Sequence, residues 1–161
     1  MTVRHRNLWI MIFFVAVAGL VSFALFWGED YSARPNLNES KTPRQMPHFE
    51  RAGIVAEVID GDTLKINGER IRLVGVDAPE IGSGPAAIEA KNFLAQICLG
   101  KRVLLDVDDL SPKDRYGRVL AVAYVELNDC WVNINQKLLK EGHAKIFYNP
   151  PSEFNPNSWI K

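Results

Sequence analysis

The sequence predicts a mainly β fold with helices (α+β): a five-stranded OB-type barrel with two to three packed helices, preceded by a single N-terminal transmembrane helix. Three observations carry this expectation. From residue 51 onward, about five short β-branched or alternating runs follow one another between turn signals. Two stretches with helical apolar spacing interrupt them. In front of all of this stands Leu8 to Trp27, a block of 20 residues without a charge.

That block reaches roughly 30 Å as a helix, the hydrocarbon thickness of a bilayer. Arg4 and Arg6 precede it and Glu29 and Asp30 follow, which places residues 1–7 in the cytoplasm as a tail and the rest outside. The apolar core of a cleaved signal peptide spans about 7–15 residues and ends in an A-x-A-like site. This block is longer and no such site directly follows, so residues 8–27 read as an uncleaved anchor in the cell membrane. Cleavage would make the protein secreted. Residues 28–50, with Pro35, Pro43 and Pro47, read as a linker that includes His48. The barrel domain is expected over residues 51–161.

Within it, residues 51–59 are extended and β-branched. Residues 63–66 and 70–76 form two arms of a hairpin around Asn67-Gly68, a type I′ turn signal. Gly84-Pro85 opens a helix whose Ala90, Phe93, Leu94, Ile97 and Cys98 share one apolar face, and Gly100 ends it. Residues 101–107 and 119–126 are the next strands. A turn at Asn128-Asp129 leads to a second helix with Trp131, Ile134, Leu138 and Leu139 on one face, closed by Gly142. A short strand is expected around residues 144–148.

The whole chain carries 19 basic and 19 acidic residues. The excess of acid lies from residue 50 onward, which weighs against a simple nucleic-acid binder and is the charge that a bound divalent cation neutralises. The two cysteines, Cys98 and Cys130, have no zinc-like spacing. They read as buried thiols, with a disulfide permitted outside the cytoplasm. His5 and His143 carry no catalytic signal.

The chemistry concentrates around the hairpin. Asp60, Asp62, Asp77, Glu80 and Arg72 fall at or near its ends, and folding about Asn67 brings those ends together. Converging acids repel unless a cation sits among them, and an all-oxygen set suits a hard cation, calcium or magnesium. Asp62 and Asp77 can reach one ion, and Ala78 can add its carbonyl. Turn chemistry is the other reading of D-G-D-T. Glu80 reads either as a general base beside a metal-held water or as a surface charge before the helix. Arg72, in an apolar run, needs a partner: Glu80 or Asp77 as a structural pair, or a phosphate. Arg118, in D-R-Y-G-R, either reaches the same phosphate or belongs to a solvated loop.

In order, V-I-D-G-D-T, R-x-x-x-x-D-A-P-E, D-R-Y-G-R and E-G-H-A-K-I resemble the thermonuclease family, the staphylococcal-nuclease-like domains, from about Gly53 to Tyr148. The resemblance implies calcium-dependent cleavage of DNA and RNA. It implies Ca2+ held by Asp62, Asp77 and the Ala78 carbonyl, with Asp60 behind them. It implies Glu80 as base, Arg72 and Arg118 as a phosphate clamp, and Arg115, Tyr116 and Tyr148 seating the nucleotide. Ala78 stands where threonine is common, the loop after Glu80 is short, and little chain follows the last strand. The expected partner is nucleic acid as substrate, with the membrane contacted through residues 8–27, no protein partner, and a monomer. A barrel that binds nucleic acid or a partner without cutting is the alternative.

Overall fold

The computed structural model describes residues 46–161. The 8–27 block, with its expected membrane passage, lies outside the described residues. Among the described residues no helix is long and apolar enough to cross a membrane.

The elements run β1 (Arg51–Val58), β2 (Thr63–Ile66), β3 (Glu69–Leu73), β4 (Val76–Asp77), α1 (Pro85–Cys98), β5 (Arg102–Val107), β6 (Val119–Leu127), β7 (Cys130–Asn133), α2 (Ile134–Lys140) and β8 (Lys145–Ile146). A single 3-10 turn, Pro156–Ser158, lies near the end. The main sheet has the order β3-β2-β1-β5-β6-β7. It closes on itself because β3 also pairs with β6 in parallel, Ile71 beside Val119 and Arg72 beside Leu120. Five strands therefore make the barrel and β7 extends it as a hairpin arm. A register irregularity in β1 between Val55 and Glu57 bends the strand that must serve both β2 and β5.

Local chemistry explains the turns. Asn67 and Gly68 both have positive φ, as the I′ signal requires, and so do Asn128 and Asp129 between β6 and β7. Pro85 occupies the first turn of α1, where its missing N–H costs nothing. Alternate residues of the strands point inward and meet the apolar face of α1. Val55, Leu64, Ile71, Leu73, Leu94, Val103, Leu105 and Ala123 form one buried cluster that Ile134 and Leu138 of α2 complete.

Three expectations needed correction. Trp131 does not open the second helix; it pairs with Glu126 in β7, and α2 starts at Ile134 behind the Asn133 cap. The 70–76 arm breaks at Gly75, which has positive φ, and resumes as the two-residue β4 against β8. Cys98 is buried but Cys130 is exposed, and both are free thiols.

Asn135 of α2 is fully buried and satisfied on three sides. Its amide donates to the carbonyls of Val74 at 2.8 Å and Ala121 at 3.2 Å. Its oxygen accepts the N–H of Ala123 at 3.0 Å. This knot ties α2 to β6 and to the turn that leads from β3 into β4. On the other side of that turn, a Cβ on Gly75 would come within 3.1 Å of the Trp159 ring. The C-terminal segment thus packs directly on the bend that presents Asp77.

Candidate active site

Barrel closure decides which side chains meet. Thr63 lies opposite Arg72 in the β2–β3 pair, and β6 enters beside β3 with Arg118 just ahead of it. An acidic loop and two arginines, distant in sequence, are thereby collected at one edge of the barrel.

The loop before β2 is shaped around a missing side chain. A Cβ on Gly61 would fall 2.5 Å from the Cβ of Ala78 and 2.8 Å from that of Ala90. Glycine therefore lets the Asp60–Asp62 loop press onto the β4 turn and α1. Asp60 steadies the loop by accepting the Asp62 N–H at 3.0 Å. Lys91 of α1 donates to the Ile59 carbonyl at 3.0 Å.

Asp62 is buried, with side-chain exposure of 8%. One carboxylate oxygen accepts the Ala78 N–H at 2.8 Å and meets the Arg72 Nη1 at 2.7 Å. The other accepts the Thr63 hydroxyl at 3.2 Å. Arg72 also pairs with Asp77 through Nη2 at 3.1 Å and donates to the carbonyls of Val76 at 2.8 Å and Leu73 at 3.2 Å. A guanidinium is well suited to this task, because its planar fork can serve two carboxylates and the backbone at once. Of the two structural partners the sequence offered for Arg72, Glu80 and Asp77, it pairs with Asp77, and it adds Asp62, which the sequence did not single out for it.

Arg118 sits half-buried. Its Nε donates to Asp114 at 2.7 Å and its Nη1 to the Thr63 hydroxyl at 3.4 Å. Thr63 therefore bridges Asp62 and Arg118. Asp114 also accepts the N–H groups of Tyr116 at 2.9 Å and Arg118 at 3.0 Å. Burial works to raise the Asp114 carboxyl, but the Arg118 hydrogen bond and these backbone donors hold it below the usual carboxylate range. The exposed Tyr116 ring carries Arg115 4.8 Å from its centroid and Arg118 at 5.5 Å. These are cation–π distances.

All ten residues singled out in the sequence — Asp60, Asp62, Arg72, Asp77, Ala78, Glu80, Arg115, Tyr116, Arg118 and Tyr148 — line one open cleft of about 670 Å³. The expected convergence of four acids is only partly met. Asp62 and Asp77 share Arg72. Among the described residues, however, no three of Asp60, Asp62, Asp77 and Glu80 bring ligand atoms within 4.8 Å of one another. Arg72 answers part of the negative charge for which the sequence reading invoked a cation. Thr63 and Asp114 escaped the sequence reading. Their only signal was membership of the D-G-D-T and D-R-Y-G-R motifs, since their partners come from other strands.

Burial pushes the Asp62 carboxyl up to about 7, against the pull of Arg72 and the Ala78 N–H. The proton is thus held more tightly in the folded chain than in the unfolded one, where the value is near 3.8. Stability from this proton is full below the lower value and lost as pH rises through the upper one. In chelator, the melting temperature of the wild type relative to Asp62→Asn is expected to fall as pH rises from about 4 to about 8. An identical pH slope in Asp62→Asn would show that another group is responsible.

The donor set fits a hard cation. Asp62, Asp77 and the Ala78 carbonyl offer only oxygen, one carboxylate is buried, and the other is 55% exposed on the cleft side of the same guanidinium.

Comparison with known proteins agrees with this picture. A family model described as staphylococcal nuclease homologue matches residues 70–158. A thermonuclease of Staphylococcus intermedius is 41% identical over 109 residues, 62% of each chain. An uncharacterized protein of Methanocaldococcus jannaschii is 30% identical over 163 residues, 85% of this chain and 79% of that one. A micrococcal nuclease of Shigella flexneri is 32% identical over 112 residues, 63% of this chain and 62% of its own. The chain thus spans about three fifths of the length of these two nucleases.

Proposed function

The chain belongs to the staphylococcal nuclease homologue family, and from that premise we propose that it is a calcium-dependent endonuclease that hydrolyses phosphodiester bonds of DNA and RNA. The observation that carries this reading is the meeting of Arg72, Arg118, Asp62, Asp77 and Glu80 on one cleft wall. Asp62, Asp77 and the Ala78 carbonyl hold the ion, with Asp60 bracing the loop behind them. When bound, calcium supplies positive charge beside the phosphate oxygens and a place for water to be ordered.

The chain's own groups do the rest. Glu80 accepts a proton from the attacking water. Arg72 and Arg118 face the extra negative charge that builds on phosphorus as the water oxygen adds, and fixed donors of this kind are the strongest catalytic element in phosphoryl transfer. Thr63 and Asp114 hold Arg118 so that its orientation is set before substrate arrives. Tyr116, Arg115 and Tyr148 offer stacking and charge to a nucleotide at the open end.

The uncharged block at residues 8–27 supports a membrane tether, with the nuclease domain facing outward. Release of the protein from membranes by salt alone would overturn that tether.

The direct test is cleavage of DNA and RNA by the full chain, followed on gels with calcium and with excess chelator. Cutting in calcium and none in chelator is expected. Cutting that survives chelation rejects the metal assignment. Binding without cutting in calcium leaves the non-cleaving barrel.

A further inference from the structure

A second group of ligating side chains lies outside the cleft. The backbone N–H of Glu50 bonds the Leu105 carbonyl at 3.1 Å, which extends the β1–β5 pairing toward the N-terminus. His48 and Glu50 are two residues apart just ahead of β1 and meet Asp106 of β5. His48, read from sequence as linker, places its Nδ1 2.9 Å from an Asp106 oxygen and 3.4 Å from a Glu50 oxygen. One ligand atom from each of the three lies within 4.8 Å of the other two, the one such set of His, Cys, Asp or Glu among the described residues. None of the three lines the cleft.

The charge around this set is unbalanced. Glu50 and Asp109 set negative charge near the Asp106 carboxylate, and the His48 ring answers it. Three carboxylates thus stand near one imidazole, and among the described residues no lysine or arginine pairs with Glu50 or Asp106. A fixed divalent cation answers that imbalance better than a single proton. The 3.4 Å between His48 and Glu50 is the spacing of two zinc ligands, and the 2.9 Å His48–Asp106 hydrogen bond opens by about 0.5 Å to admit the ion. Ligands about 2.1 Å from a tetrahedral zinc ion are about 3.4 Å apart, and a nitrogen-plus-carboxylate set selects zinc-like ions over calcium or magnesium. His48 is 76% exposed in its side chain and Asp106 only 11%, so the floor of the site is fixed and its mouth is open to water ligands.

We propose that His48, Glu50 and Asp106 bind a divalent transition-metal ion of the zinc class, distinct from the cation of the cleft, which pins the chain entering the barrel onto β5. The bound ion replaces the His48–Asp106 hydrogen bond with two metal–ligand bonds, and a proton on the imidazole is released.

The test uses the full chain stripped with chelator, carrying Asp77→Asn to weaken the cleft, and titrates it calorimetrically with zinc chloride. One zinc per chain is expected, with affinity lowered about tenfold or more by adding His48→Gln. Calcium should not compete. His48 is exposed, so this variant keeps its fold, which circular dichroism checks. Zinc affinity within about twofold in the His48→Gln protein overturns the site, as does equal competition by calcium. With Asp77 restored, His48→Gln should cleave DNA in calcium as well as the wild type, so the failure of this site and of the nuclease reading are separate results.

Discussion

Glu80→Gln is expected to lower single-turnover cleavage of DNA by about 10²–10⁴, the range for loss of a general base, while DNA binding and melting temperature stay unchanged. The substitution removes the proposed proton acceptor and almost nothing else. Glu80 is exposed at the cleft wall. Its backbone carbonyl accepts the Ser83 N–H at 2.9 Å, an interaction the new amide leaves intact. Glutamine has the same length and can still bond water, but it cannot take a proton. Rates should therefore be compared at saturating DNA, where binding differences vanish. Cleavage within about twofold of the wild type would remove Glu80 from the role of base and leave it as a charge before α1.

Arg72→Met has two expected effects of different origin, and they can be separated. The first is loss of stability. Arg72 is 12% exposed in its side chain and Asp62 8%, so methionine leaves Asp62 without its cation; where Asp62 is ionised this costs up to about 3–5 kcal/mol, and the loss shrinks as pH falls and the buried carboxyl takes a proton. The second is loss of turnover by about 10²–10³, from removal of a donor aimed at the phosphate. Adding Asp62→Asn should recover part of the stability, because the stranded charge is gone, but none of the turnover. Arg72→Lys keeps the charge without the fork. It should stay slow, since an ammonium cannot serve Asp62, Asp77 and two carbonyls together. Chemical denaturation and single-turnover kinetics on the three variants decide the matter. Because Asp62→Asn also removes a proposed metal ligand, the double variant reports on stability alone; turnover near the wild-type value in folded Arg72→Met would make Arg72 a purely structural residue.

Legibility in the sequence followed the range of the interactions. The hairpin at Asn67-Gly68 was readable because its turn chemistry is local, and both residues have the positive φ that the dipeptide implies. Helix α1 was readable because Ala90, Leu94, Ile97 and Cys98 recur at helical spacing, and all four are buried. Trp131 misled because its spacing to Ile134 imitates a helical face, whereas its real neighbour is Glu126 across the β6–β7 turn. The β4–β8 pair, two residues in each strand, is too short to leave any periodicity.

The site divided in the same way. Asp62, Asp77, Arg72 and Arg118 stand in ordered motifs and all reach the cleft. The Arg72–Asp62 pair was missed because a list of motifs does not say which acid lies nearest a guanidinium after the Gly75 bend. The bridging of Thr63 and the anchoring of Arg118 by Asp114 depend on β6 arriving beside β3. His48 reaches Asp106 across the β1–β5 register, a contact that a proline-flanked histidine does not announce.

The parallel seam between β3 and β6 also bears on how the chain matures. Arg72 and Arg118 are synthesised far apart and become neighbours only when that seam zips shut. Long-range parallel pairings of this sort form late and slowly, because the intervening loop must first surrender its freedom. A half-folded chain, even one with its hairpin and α1 in place, has an open seam and divided phosphate-facing charge. On the proposed mechanism, closing this seam is therefore what completes the site: a chain that is otherwise folded but open there holds its two arginines apart.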